Sequence, residues 1–220
     1  MREVQRAEDR FLTSGDGTST RHSFSYGAHY DAANIGFGQL IAINEETVEP
    51  GQGYEFHHHA NVEIVTWVLE GSLLHEDTAG NRGVITPGHA QRLSAGDGVQ
   101  HSERNASGTE VLRFLQMMLR SDNVGEPTYE QRDVGPDTGT LLPTVPVVQR
   151  KARLLLARCG RGDMVHVPAS ELAFVHVTAG GASVAEHLLN VGDSLRLSDA
   201  GAYDLFAQDR AEVLIWQMQR

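Results

Sequence analysis

The side chains best suited to chemistry stand at two places in the chain: His57-His58-His59 in one strand-like run, and His101-Ser102-Glu103 in another. Alternate side chains of a β-strand share a face, so His57 and His59 point together, and so do His101 and Glu103. Two such strands paired antiparallel bring three imidazoles and one carboxylate to a point, which describes a metal site with His57, His59, His101 and Glu103 as ligands. His58 faces the other way. Four ligands leave two adjacent positions of an octahedron open, which suits Fe(II), Mn(II), Ni(II) or Cu(II) better than a closed tetrahedral zinc site. We expect one divalent transition metal, with Fe, Mn, Ni, Cu and Zn as the alternatives. On a redox-active ion, a small aromatic enol and O2 could occupy the open positions side by side, and Glu103 could serve both as ligand and as the catalytic base.

The elements that must position these groups read as β almost throughout, with glycine and polar turns every eight to twelve residues, as in sandwiches and barrels. Residues 35–43, 62–69 and 111–119 read as strands, and 70–72, 79–83 and 95–98 as turns where glycine supplies positive φ. Composition shifts to Gly, Pro, Asp and Thr over 121–146 with no hydrophobic period, so this stretch is expected to connect a domain at 1–120 to one at 147–220. The halves echo each other: Pro87-Gly88 through Ser94 parallels Val191-Gly192 through Ser198, and residues 110–114 parallel 212–216. In that register His57 falls opposite His166 and His59 opposite Pro168. With one shifted residue, His101 and Glu103 fall opposite Phe206 and Gln208. The second half is therefore expected to be scaffold without metal.

The remaining chemistry-bearing residues read as ordinary. His22, His29, His75, His89, His166, His176 and His187 are expected at the surface or in hydrogen bonds. Asn105 and Arg104 either orient ligands or form the turn after their strand. Trp67 and Phe56 are expected to fill the barrel, and Asp97, Asp193 and the acidic surplus to be solvated. A net charge of −11 over 220 residues without a Lys/Arg-rich run disfavours contact with phosphate backbones, so no direct nucleic-acid partner is expected. The N-terminal residues show no apolar signal region, and no stretch of eighteen apolar residues occurs, which points to a cytoplasmic protein with no membrane association. The single cysteine, Cys159, fits a reducing compartment and reads as a small buried apolar residue.

Motif by motif, the first half resembles a known family. Gly51, five residues and then His57-x-His59 resembles the first motif of the cupin superfamily, and Gly98-x-x-His101-x-x-x-Asn105 the end of the second. More closely, the block from His57 through Glu70-Gly71, His75, Asp77, residues 80–85, Pro87-Gly88, residues 94–96 and His101 to Asn105 resembles pirin. Arg21-His22-Ser23-Phe24 and Phe37-Gly38 extend the likeness over about residues 21 to 121, while the second half carries it weakly. The resemblance implies two tandem cupin barrels, terminal segments crossing to the other domain, and iron on His57, His59, His101 and Glu103. It also implies oxygenative ring cleavage of a flavonol such as quercetin, or alternatively iron-dependent binding to a protein partner, modulating a transcription factor or metabolic enzyme. Two departures stand out. His58 replaces a common proline, and Glu63 is one residue out of step with the general cupin glutamate.

Overall fold

A computed structural model of the chain describes residues 1–220 apart from residue 123. The first half runs β1 (Arg2–Gln5), β2 (Phe11–Ser14), β3 (Thr18–His22), β4 (Leu40–Val48), β5 (Gly53–His59), β6 (Val62–Glu70), β7 (Leu73–Asp77), β8 (Arg82–Ile85), β9 (His89–Ser94), β10 (Val99–Asn105), β11 (Leu112–Arg120) and β12 (Thr128–Asp133). The second runs β13 (Thr140–Pro143), β14 (Ala152–Cys159), β15 (Met164–Val167), β16 (Ser170–Ala179), β17 (Ala182–Val184), β18 (His187–Leu189), β19 (Ser194–Ala200), β20 (Tyr203–Ala207) and β21 (Ala211–Met218). The molecule is all-β. Among the described residues helix is confined to a 3-10 turn at Ala7–Asp9, and no helix is long and apolar enough to cross a membrane.

Each half folds a large sheet over a four-stranded one. In the first, the order β12-β9-β6-β11-β4-β3-β2 faces β5-β10-β7-β8; in the second, β1-β19-β16-β21-β14-β13 faces β15-β20-β17-β18. Central strands such as β6, Val-Glu-Ile-Val-Thr-Trp-Val-Leu-Glu, are rich in β-branched and aromatic residues and are buried on both faces. The reason is a third layer of burial. Val65, Trp67, Leu115 and Met117 from the back of the first large sheet pack against Leu154, Phe174, Leu214 and Trp216 from the back of the second. Burying each such side chain contributes about 1.5–3 kcal/mol, so the two barrels are held back to back. Trp67 therefore fills the interface between barrels rather than a barrel interior, and its Nε1 donates to Glu212 Oε1 at 2.8 Å.

Residues 121–146 do more than connect. β12 adds to the edge of the first large sheet beside β9, and β13 to the edge of the second beside β14. Neither announces itself by apolar alternation, because an edge strand of a sheet can leave much of its surface to solvent. At the other end of the second sheet β1 pairs with β19, placing Arg2 opposite Leu197 and Val4 opposite Leu195. The N-terminal segment thus crosses to the other domain, whereas the C-terminal strand β21 stays in the centre of its own sheet.

Candidate metal centre

β5 and β10 pair antiparallel with His101 opposite His57 and Val99 opposite His59. Between His101 and Glu103 the register shifts, so that Glu103 stands opposite Tyr54 and β5 carries one extra residue. Gly53 permits the close approach at this point, since a Cβ there would lie 2.4 Å from the Glu103 carbonyl oxygen. The bulge turns Phe56 out to solvent, where it is 52% exposed instead of filling the barrel. His58 also turns away, its ring lying over Gly98.

The three alternating histidines do converge. Ring centroids lie 4.5 Å apart for His57 and His101, 4.9 Å for His57 and His59, and 5.0 Å for His59 and His101. One nitrogen from each ring lies within 4.8 Å of the others. His57 Nδ1 donates to the Glu55 carbonyl at 2.8 Å, which orients the ring and leaves Nε2 as the nitrogen open to a ligand. His59 Nε2 and both nitrogens of His101 are buried without a partner. Such orphaned groups cost about 1–3 kcal/mol each, and a bound cation removes that cost. Burial, reinforced by the neighbouring imidazoles, pushes His59 down to about 4 and His101 down to about 3. Both rings are then neutral and ready to ligate near pH 7. The donor set fits a divalent transition metal.

Glu103 stands beside the triad. Its Oε2 lies 4.0 Å from His101 Nε2 and accepts a hydrogen bond from Gln116 Nε2 at 2.6 Å, while Oε1 is buried with no partner. Burial raises its pKa. Behind His101, with ring centroids 5.4 Å apart, His75 uses both of its nitrogens elsewhere. Nε2 donates to Asp77 Oδ2 at 3.1 Å, and Nδ1 accepts from Gln91 Nε2 at 3.2 Å. Tyr129 of β12 stacks on the same ring at 5.0 Å. Burial works against ionisation of Asp77, yet hydrogen bonds from Asn81 and His75 hold its carboxyl below the ordinary value. His75 is thus a packed, hydrogen-bonded support, as expected of it, although fully buried.

Three other residues take roles that spacing alone did not show. Glu46 is buried on the inner face of β4, where its Oε2 accepts from Thr20 Oγ1 at 2.5 Å and from Tyr54 OH at 2.6 Å. Burial pushes Glu46 up to about 7. Strand alternation from Asn44 would have placed it inward, but a Glu45-Glu46 pair reads as surface. Asp193, expected to be solvated, is 2% exposed, accepting from Arg6 Nη1 at 2.7 Å and from the Ala7 amide at 2.9 Å. Glu63 serves the connection between halves. It accepts from Ser94 Oγ at 2.7 Å and Ser121 Oγ at 3.0 Å, and its Oε2 accepts from the Val148 amide at 3.0 Å.

Asn105 and Arg104 resolve in favour of the turn. Asn105 Nδ2 donates to the carbonyls of Val48, Glu49 and Glu110, and Arg104 bonds Glu55 and the Gly51 carbonyl. His22 and His176 are buried in hydrogen bonds to Asn44 and Ser194. A cleft of about 660 Å³ opens between the barrels, lined by Pro87, Asp133, Arg158, Thr178 and Glu212 among others, and no triad residue lines it.

In the second barrel the structural counterparts of the ligands differ from those expected. The amides of Ala106 and Gln208 donate to the equivalent carbonyls of Ser72 and Gly181, which aligns His101 with Tyr203 and Glu103 with Leu205. Val167 lies opposite Tyr203 and so matches His57. His166 and Phe206 point outward, His166 pairing with Asp204 at 2.9 Å and Phe206 being 43% exposed. The expected alignment is one residue short at His57 and three residues long at His101 and Glu103, and any odd slip flips every side chain to the other face.

Comparison with known proteins agrees with this architecture. The pirin family model matches residues 4–119, and a model described as the quercetinase C-terminal cupin domain matches residues 145–218. The chain belongs to the pirin family, and its fold is a tandem pair of cupin barrels. A relative from Mycobacterium bovis, provisionally named a quercetin 2,3-dioxygenase, is 39% identical over 98% of this chain and 94% of its own length. Quercetin 2,3-dioxygenase of Escherichia coli K12 is 31% identical over 98% of this chain and 97% of its own. Among solved structures, the bacterial pirin YhhW from Escherichia coli superposes with a TM-score of 0.94 at 28% identity, covering 100% of this chain and 98% of that one. Its complex with nickel(II) gives a TM-score of 0.91 at 29% identity, covering 99% of both chains.

Proposed function

We propose that the first barrel holds one divalent transition metal, Fe(II) in the cell, on His57, His59 and His101 with Glu103 as fourth ligand, and that the protein is an oxidoreductase of the quercetin 2,3-dioxygenase type acting on a flavonol with O2. One observation carries this reading: three convergent imidazoles, two of them with orphaned buried nitrogens, lie beside a buried carboxylate whose Oε1 is also orphaned. The names of the relatives and the nickel complex of YhhW support it. When bound, the metal supplies Lewis acidity toward the substrate hydroxyl and a place for O2.

The chain's own residues supply the rest. His59 and His101, held neutral by burial, present lone pairs without first having to lose protons. Gln116 fixes the Glu103 carboxylate at Oε2 and leaves Oε1 free to turn toward the triad. The hydrophobic residues Ile64, Leu93, Val99 and Met118 form one buried cluster, and Val68, Leu73 and Phe114 belong to another, so that apolar packing borders the polar groups. In the simplest scheme Glu103 also removes the hydroxyl proton of the enol.

Metal analysis of the purified protein followed by oxygen uptake with quercetin tests the proposal. About one metal per chain and flavonol-dependent oxygen consumption, lost on chelation and restored by Fe(II), is the expected result. Metal-loaded protein that consumes no oxygen with several flavonols, yet binds a protein partner in only one iron oxidation state, would replace catalysis by regulation.

A further inference from the structure

The simplest scheme gives Glu103 two duties that conflict, because a carboxylate that donates its charge to a cation is a weakened base. A second carboxylate faces the same barrel interior. Glu46 lies on the inner face of β4 at 5% exposure, and both of its hydrogen bonds, from Thr20 and Tyr54, fall on Oε2. Among the described residues Oε1 has no hydrogen-bond partner, yet it is not among the atoms sealed from solvent. Tyr54 links the two acids: its backbone stands opposite Glu103 across the β5–β10 ladder while its hydroxyl holds Glu46. Thus Glu46 is oriented by two fixed donors on one oxygen and presents the other, an arrangement suited to taking up and returning a proton.

We propose that Glu46 is the acid–base residue of the first barrel, and that Glu103 remains a ligand throughout. This deepens the dioxygenase reading and rests on it. In the step assigned to Glu46, the O–H bond of the enol hydroxyl breaks, its electron pair stays on the substrate oxygen, and the proton forms a new O–H bond at Glu46 Oε1. The same proton leaves Glu46 when the acidic product is released, so no further reactant is needed. Burial supports the assignment by moving Glu46 up to about 7, where a carboxyl can both accept and return a proton at neutral pH. The charged and titratable groups that act on it are Glu103 on β10, which raises it, and Tyr54 on β5, whose hydrogen bond lowers it. Tyr26, in the segment after β3, feels both carboxylates, and His22 on β3 is engaged with Asn44 on the adjacent row.

Glu46→Gln keeps an oxygen for Thr20 and Tyr54 but cannot take a proton. Three readouts separate the outcomes: metal content, proton release on anaerobic binding of quercetin followed with a pH indicator, and the pH profile of oxygen uptake. We expect Glu46→Gln to retain its metal, to release one proton to solvent where the parent releases less, and to lose roughly 10²-fold or more in turnover. Tyr54→Phe, which removes a donor from the carboxylate, is expected to move the midpoint of the acidic limb to higher pH. If the parent binds and oxygenates quercetin but Glu46→Gln shows the parent's proton release, pH profile and rate, this inference alone falls. If the parent neither binds nor oxygenates a flavonol, the dioxygenase reading falls and takes this inference with it.

Discussion

The two barrels share a backbone plan and differ in what they put inside it. Both large sheets carry a bulge between the same pair of central strands, at Arg113/Phe114 in the first and Val177/Ala179 in the second, and this sets their rows in register. One row of the first sheet runs His22, Asn44, Gln116, Thr66, Gln91 across five strands. The same row in the second reads Pro143, Leu155, Ile215, Val175, Leu195. The facing sheet follows suit, with His101 and Glu103 against Tyr203 and Leu205. An apolar interior needs no partners, whereas a polar one destabilises the fold unless each group is bonded. The first barrel keeps several such groups unpartnered, among them Thr66 Oγ1, Gln91 Oε1 and His101 Nε2. The difference teaches that one scaffold can serve for stability or for chemistry, according to the polarity of a single belt of side chains.

The comparison breaks at once if His57→Ala/His101→Ala retains stoichiometric metal; complete loss of the ion by elemental analysis is expected, with the β circular dichroism intact. Next in size, Leu205→Glu places a lone carboxylate in the apolar barrel and is expected to cost about 3–5 kcal/mol in urea unfolding. The reverse exchange, Glu103→Leu/Gln116→Ile, should leave the metal-free protein as stable as its parent or more so, because both members of a polar pair leave together. On the outer face of β4, Glu45 accepts from Arg10 at 2.8 Å and from Arg113 at 2.7 Å. Burial works against its ionisation, yet the Arg10 guanidinium beside it, helped by Arg113, holds it down to about 2. Its stabilisation is therefore complete above the ordinary carboxyl value and is lost as pH falls toward 2. Glu45→Gln is expected to cost about 1.5–3 kcal/mol at pH 7, with the difference from the parent vanishing near pH 2 in paired denaturation curves. Gln116→Leu alone is expected to cost about 1–3 kcal/mol, from leaving the Glu103 carboxylate without the Gln116 donor.

The histidine triad was legible because period-two alternation on two paired strands needs nothing from elsewhere in the chain. The same periodicity explains the error in the second half. A repeat aligned by an odd number of residues, one at His57 and three at His101 and Glu103, chose His166, Phe206 and Gln208 on the outward register in place of Val167, Tyr203 and Leu205. Glu46 and Asp193 were hidden for a different reason, since each is buried by partners distant in sequence. Thr20 reaches Glu46 from β3, and Arg6 reaches Asp193 from the far end of the chain. The bulge opposite Ser102 that swings Phe56 outward likewise depends on the partner strand. β12 and β13 escaped notice because the two large sheets supply their pairing, not their own composition.

The pairing of β1 with β19 has a consequence for how the protein is made. Arg2 must wait for Leu197, so on a ribosome elongating at about 5–20 residues per second the first strand stays unpaired for on the order of 10–40 s. During that interval the first barrel can close without it, because β12 caps the equivalent edge of its own sheet. β1 then acts as a late seal on the second barrel. A disturbance in β1 would accordingly be felt first in the unfolding of the second barrel, while the histidine triad of the first stays in place.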